Sequence, residues 1–140
     1  MKIANPNAHF EACPEFTGRA VIVDVTPLRK EQSQFGEQEV FMVVSLNSNN
    51  RLLSEHTITT GLLNSSLTHP REVFRTAILE NAASVILIHN HPSGNREPSE
   101  EDVRVTRQIV EAGQIVGIPV HDHIIITANT CTSFAERGLL

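Results

Sequence analysis

Metal-ligating residues come at a meaningful spacing in one stretch of this chain, His89-Asn90-His91-Pro92-Ser93-Gly94, followed by Ser99 and Asp102. Two imidazoles one residue apart share a face of an extended segment, because side chains on a strand alternate with a period of two. Both rings can then reach one ion. Asp102, brought back by a ten-residue return, adds a carboxylate. Three protein ligands then converge, and a fourth tetrahedral position stays free for water, the usual arrangement of a catalytic zinc.

The elements that must position these residues are legible around them. Ser84-Val85-Ile86-Leu87-Ile88 is a short apolar, largely β-branched run of the kind that makes a buried strand, and the histidines sit where it emerges. Pro92, Gly94 and Pro98 enforce a loop. Beyond it Val103, Thr106, Ile109, Val110, Gly113 and Val116 fall at helical steps, with Gly117 suited to the C-terminal cap. Asp102 therefore lies in a first helical turn.

Each residue also has a plainer use. Ser99-x-x-Asp102 is a capping box, in which the hydroxyl caps the helix and the acid bonds back. His89 and His91 could be strand-end histidines hydrogen-bonded to loop backbone. Together, as His-x-His-x7-Ser-x2-Asp, they favour the metal reading. A second His-x-His, His121-Asp122-His123, opens the apolar run Ile124-Ile125-Ile126, but no acidic residue at a helix start follows it. It reads as structural, or as a pair from which Asp122 or His123 orients a ligand imidazole. His69 leads into a helix whose first position is Pro70. His9 and His56 carry no constellation.

The full pattern resembles the JAMM, or MPN+, family of zinc metallohydrolases, and within it the RadC-type branch. The likeness runs over roughly residues 38 to 140 in four ordered segments. These are Gly61-Leu62-Leu63-Asn64 with Thr68-His69-Pro70-Arg71-Glu72-Val73-Phe74; Ile88 to Gly94; Asp122-His123-Ile124-Ile125-Ile126; and Ser133-Phe134-Ala135-Glu136-Arg137-Gly138-Leu139-Leu140. The resemblance implies that His89, His91 and Asp102 are zinc ligands and that Ser99 helps hold the oxyanion of a tetrahedral intermediate. It also implies an upstream glutamate beside the first core strand. Glu39, in Gln38-Glu39-Val40-Phe41, matches that position, with Glu37 as its nearest rival; an exposed strand-start carboxylate is the plainer reading.

The chemistry explains the residue types. Zinc lowers the pKa of a bound water from about 15.7 towards about 7 and polarises a scissile carbonyl. A carboxylate that is not a ligand, here Glu39, can take the water's proton and return it to the leaving amine.

At 140 residues and 40% apolar content the chain suffices for one small core. The expected fold is α/β: a single-domain mixed β-sheet with flanking helices, which the resemblance specifies as a JAB/MPN, cytidine-deaminase-like sandwich over residues 39–140. Strands are predicted near 19–25, 40–46, 51–58, 84–88 and 122–127, and helices near 70–81 and 99–116. Asn47-Ser48-Asn49-Asn50 is a turn. Residues 1–38 form a poorly specified N-terminal extension. They are too short and too strand-like to supply the helix-hairpin-helix module that longer members of the branch carry.

Eleven basic against sixteen acidic residues give a net charge of -5, without the basic stripe that nucleic-acid binding usually leaves. Arg71, Arg75, Arg96, Arg104 and Arg107 read as solvated helix or loop faces, although a local patch is open to them. Cys13 and Cys131 are too few and too far apart to suggest a disulfide framework. The lack of a signal peptide or long apolar run points to a cytoplasmic protein with no membrane contact.

The leading expectation is a zinc-dependent hydrolase acting on a peptide or isopeptide bond in a peptide or protein substrate. A metal-dependent nuclease or DNA-repair factor is the second reading, and a catalytically silent interaction module the third. Substrate identity, activating partner and oligomeric state are not written in the sequence.

Overall fold

The computed structural model describes residues 39–61, 68–127 and 130–140. The predicted strand near 19–25 and the N-terminal extension lie outside these residues. Val40–Leu46 (β1) is buried at every position, as a continuous apolar run forecasts for a strand covered on both faces. It returns through Asn47–Asn50 into Leu52–Thr60 (β2), whose residues are half-buried or exposed. The turn is held by Asn47, whose Oδ1 accepts the N–H groups of Asn49 and Arg51, both at 2.9 Å, while Asn50 takes a left-handed φ of 59°.

Pro70–Leu79 (α1) starts as expected, with His69 as N-cap and proline at the first helical position. Its last residue falls two short of the prediction, because Glu80 leaves helical geometry and Asn81 turns left-handed at φ 54°. Ser84–Asn90 (β3) is buried throughout. Glu100–Val116 (α2) follows, then Val120–Ile126 (β4) and the short Cys131–Ser133 (β5), which the sequence reading did not anticipate. Cys131 is buried, and Cys13 lies outside the described residues.

The five strands form one sheet in the order β2-β1-β3-β4-β5. Only β3 and β4 run parallel, joined across α2, so the sheet is mixed as expected. Both helices pack on one face. Val73, Phe74 and Ala77 of α1 and Val105 and Ile109 of α2 meet Phe41, Val43, Val85 and Leu87. The opposite face gathers Val40, Met42, Val44, Ile86, Ile88, Ile124 and Ile126. Because Phe41 pairs with His89, odd-numbered residues of β1 and β3 share the helix side. His89 therefore emerges beside the start of α2. No helix among the described residues is long and apolar enough to cross a membrane.

Candidate metal centre

Strand alternation does to His89 and His91 what their spacing forecasts: the rings lie on one side of β3, with centroids 4.8 Å apart and nearly perpendicular. The return through Pro92–Pro98 then sets the start of α2 against them. Ser99 is the N-cap and Asp102 the third residue of the helix, and the two form a reciprocal capping box. Asp102 N–H donates to Ser99 Oγ at 3.0 Å, and Ser99 N–H donates to Asp102 Oδ2 at 2.9 Å. The cap thereby fixes the rotamer that carries the carboxylate into the site.

One ligand atom from each of His89, His91 and Asp102 lies within 4.8 Å of the other two, and all three residues are buried. His91 Nε2 stands 3.0 Å from Asp102 Oδ2, and His89 Nδ1 stands 3.7 Å from Asp102 Oδ1. Two imidazoles and a carboxylate form a donor set suited to zinc and neighbouring divalent ions. A further observation fits a cation: His89 Nδ1 is buried without a hydrogen-bond partner. A bare ring nitrogen costs free energy in a buried cluster unless something satisfies it.

His91 Nδ1 lies 2.8 Å from the Asn95 carbonyl, which can only accept, so Nδ1 carries a proton and Nε2 is turned towards the cluster. Burial alone would lower the His91 pKa, but the hydrogen bonds to Asp102 and Asn95 and the charges of Asp102 and Glu39 raise it. For Asp102 burial pushes upward, and the His91 hydrogen bond, the Ser99 N–H and the two imidazoles outweigh it, bringing the carboxyl to about 2. The carboxylate is thus held ionised, as a ligand must be.

Glu39 precedes β1 and shares the face of His89; its Oε2 lies 3.1 Å from His89 Nε2, and the side chain is 20% exposed. The structure therefore brings together all five residues singled out from the sequence. Glu37, the rival to Glu39, lies outside the described residues.

The second His-x-His takes the structural role that was one of its two readings. Asp122 Oδ1 accepts the N–H groups of His123 and Ala135, and Oδ2 accepts the Ser133 hydroxyl at 2.6 Å, so this buried carboxylate ties β4 to the C-terminal segment. His123 Nδ1 meets Thr106 Oγ1, which itself donates to the Asp102 carbonyl. The ring nitrogens of His123 make no hydrogen bond to a ligand imidazole. His123 instead packs behind the site, stacked on Phe134 at 4.4 Å and edge-on to Phe41 at 5.9 Å.

Several contributors escaped the sequence reading. Thr106 sits one helical turn beyond Asp102, a spacing that could have identified it. The loop from His91 to Ser99 is held by the C-terminal segment: Thr132 Oγ1 donates to the Arg96 carbonyl at 2.7 Å, and Arg137 makes two hydrogen bonds to Glu97. No local pattern marks that contact. Arg71 and Arg104 lie beside Glu72 and Glu101, and Arg96 donates to Thr130, so these three arginines neighbour acids or hydroxyls of their own.

Residues 21–139 match the family model for a RadC-like JAB domain. The UPF0758 protein of Salinibacter ruber is 56% identical over 104 residues, covering 74% of this chain and 45% of its own. That of Desulforamulus reducens is 47% identical over 128 residues, covering 91% and 53%. That of Moorella thermoacetica is 50% identical over 117 residues, covering 84% and 51%. The chain spans about half the length of the curated relatives it matches.

Proposed function

Since this chain belongs to the family of RadC-like JAB domains, we propose that it is a zinc-dependent hydrolase of the JAMM type that cleaves a peptide or isopeptide bond. One observation carries the reading: ligand atoms of His89, His91 and Asp102 lie within 4.8 Å of one another, and Glu39 stands 3.1 Å from His89 without belonging to that trio.

His89, His91 and Asp102 would hold the ion, which when bound supplies a Lewis acid and an acidified water at neutral pH. Glu39 Oε2 takes the water's proton and returns it to the departing amine nitrogen. Ser99 Oγ accepts from Asp102 N–H, which leaves its own hydrogen to donate to the oxyanion that develops on the scissile carbonyl. Phe41, His123 and Phe134 wall the inner side of the ligands and exclude water from it.

The test begins with elemental analysis of protein purified without a histidine tag. About one zinc per wild-type chain, lost in folded His89→Ala, His91→Ala and Asp102→Ala variants, is expected. Zinc-loaded protein is then offered fluorogenic peptides, lysine-linked isopeptides and supercoiled plasmid, with Glu39→Gln and His91→Ala as controls. Amide cleavage abolished in both controls supports the hydrolase. Plasmid nicking with the same dependence would transfer the site to phosphodiester chemistry, and metal binding with neither activity would favour an interaction module.

A further inference from the structure

The peptide unit that joins Glu39 to Val40 is gripped from both neighbouring strands. Its carbonyl oxygen accepts the N–H of Gly61, just beyond β2, at 2.7 Å. Its N–H donates to the side-chain oxygen of Asn90, on β3, at 2.5 Å. The carbonyl and N–H of a trans peptide point to opposite sides, so the two bonds act as opposed jaws on one rigid plane. That plane carries the Cα from which the Glu39 carboxylate reaches towards His89.

Asn90 is an unexpected residue for its place. It is completely buried, between the two histidines in sequence and on the opposite face of β3 from them, the face lined by Ile88 and Ile126. An amide on an apolar face is costly unless hydrogen-bonded. The backbone register of β1 and β3 ends at Phe41 and His89, and the Asn90 side chain extends the grip one residue further, to Val40. Gly61 forms its bond at a φ of 121°, a conformation that side-chain-bearing residues rarely adopt.

We propose that Asn90 is a positioning residue for the general base: it fixes the Glu39–Val40 peptide and so holds the Glu39 carboxylate at its distance from the ligand cluster, with Gly61 as the opposing jaw. The assignment rests on reading Glu39 as the base. Because Asn90 points away from His89, His91 and Asp102, its loss leaves the metal in place and moves the base. A displacement of about 1 Å can cost about 100-fold in rate.

The variants are Asn90→Leu, which suits the apolar face but removes the acceptor, and Asn90→Asp, which keeps an oxygen at the same point. Glu39→Gln is the reference. Zinc content and amide hydrogen exchange are measured on each, followed by turnover of a fluorogenic lysine-linked isopeptide by zinc-loaded protein. In Asn90→Leu, zinc stays stoichiometric, Val40 N–H exchanges about tenfold faster or more while Val43 and Val44 keep their protection, and kcat falls about 10-fold to 100-fold with KM within about twofold. Asn90→Asp restores Val40 protection and most of kcat.

Unchanged Val40 exchange in Asn90→Leu overturns the grip. Wild-type kcat in Asn90→Leu beside an inactive Glu39→Gln overturns the positioning role alone. Turnover that survives Glu39→Gln overturns the base assignment, and Val40 exchange then decides whether the grip exists. Should Asn90→Leu fail to fold, Gly61→Ala strains the other jaw; it is expected to show the same fall in kcat, and an unaltered kcat there overturns the proposal.

Discussion

Oδ2 of Asp102 accepts the Ser99 N–H at 2.9 Å and stands 3.0 Å from Nε2 of His91, so one carboxylate oxygen both closes the helix cap and faces the imidazole. The capping box and the candidate ligand are a single device. The rigidity of a capped helix start is passed directly to the site.

Asp102→Asn separates the two roles, because the amide oxygen can still cap while the charge is gone. Zinc should be lost, with stability changed by about 1 kcal/mol or less, as read by elemental analysis and the urea midpoint. Stoichiometric zinc in this variant would contradict ligation by Asp102.

Acidity should act on the metal-free and zinc-loaded proteins in opposite senses. The folded pKa of His91 is raised above 6.5, so its pairing with Asp102 stabilises the metal-free fold below that value and fades as pH climbs through the raised value. Asp102, depressed to about 2, contributes above its ordinary 3.8 and loses that contribution as pH falls towards 2. Zinc displaces the proton of His91, so its binding strengthens over the same rise in pH. The gap in melting temperature between zinc-loaded and metal-free protein should widen from about pH 6 to about pH 8. A constant or narrowing gap rules the linkage out.

His123 supplies a separate acid sensitivity. Burial, with further lowering by the nearby imidazoles against an opposing pull from Asp102, brings its pKa down to about 3. A depressed folded value means stability present above the unfolded value of 6.5 and progressively lost down to 3. Replacing His123 with Phe, which retains an aromatic ring against Phe134, should remove one proton from the uptake on unfolding and flatten the slope of stability between about pH 6 and pH 4. An identical slope in urea titrations of both proteins would refute the assignment.

Ser99→Ala should lower turnover about 100-fold to 1000-fold while costing about 1 kcal/mol of stability, the two effects of one lost hydroxyl. Ser99→Asp keeps an acceptor for the Asp102 N–H but no hydrogen to donate. Its urea midpoint should approach wild type and its turnover should stay low. Recovery of activity with the cap would show that Ser99 is needed for structure only.

Thr132→Val removes the hydroxyl that holds the Arg96 carbonyl, one residue beyond the Asn95 carbonyl that orients His91. Contacts of this outer kind commonly govern metal affinity by about 10-fold to 100-fold. Competition with a zinc chelator should show weaker binding of about that size, all three ligands being intact; unchanged affinity would place the loop outside the site's control.

Legibility from sequence followed the range of the interaction. Period-two and helical spacing sufficed to put His89, His91 and Asp102 on converging elements, and Pro70, Ser99 and Gly117 marked helix ends within one or two residues. β5 was not legible, since Cys131–Ser133 is three residues long with Thr132 and Ser133 polar, too short for a period to emerge. Asn90 and Thr132 act through partners 50 and 36 residues away, and nothing in their neighbours announces such contacts. His121-Asp122-His123 kept two readings for the related reason that spacing gives a face but not a partner. Asp122 had Ser133 and Ala135 to hold, in a segment whose return to β4 local patterns do not encode.

The anchoring of the Arg96 loop by Thr132 also bears on translation. The histidines and Asp102 are synthesised well before the residue that steadies the loop between them, 36 positions after Arg96. Because a domain folds as a unit, the helix and strand ends that carry the ligands settle together with that latch. The stiffness of the centre is therefore a property of the closed domain and not of the ligand-bearing segment alone, since the loop between the ligands is tied to β5.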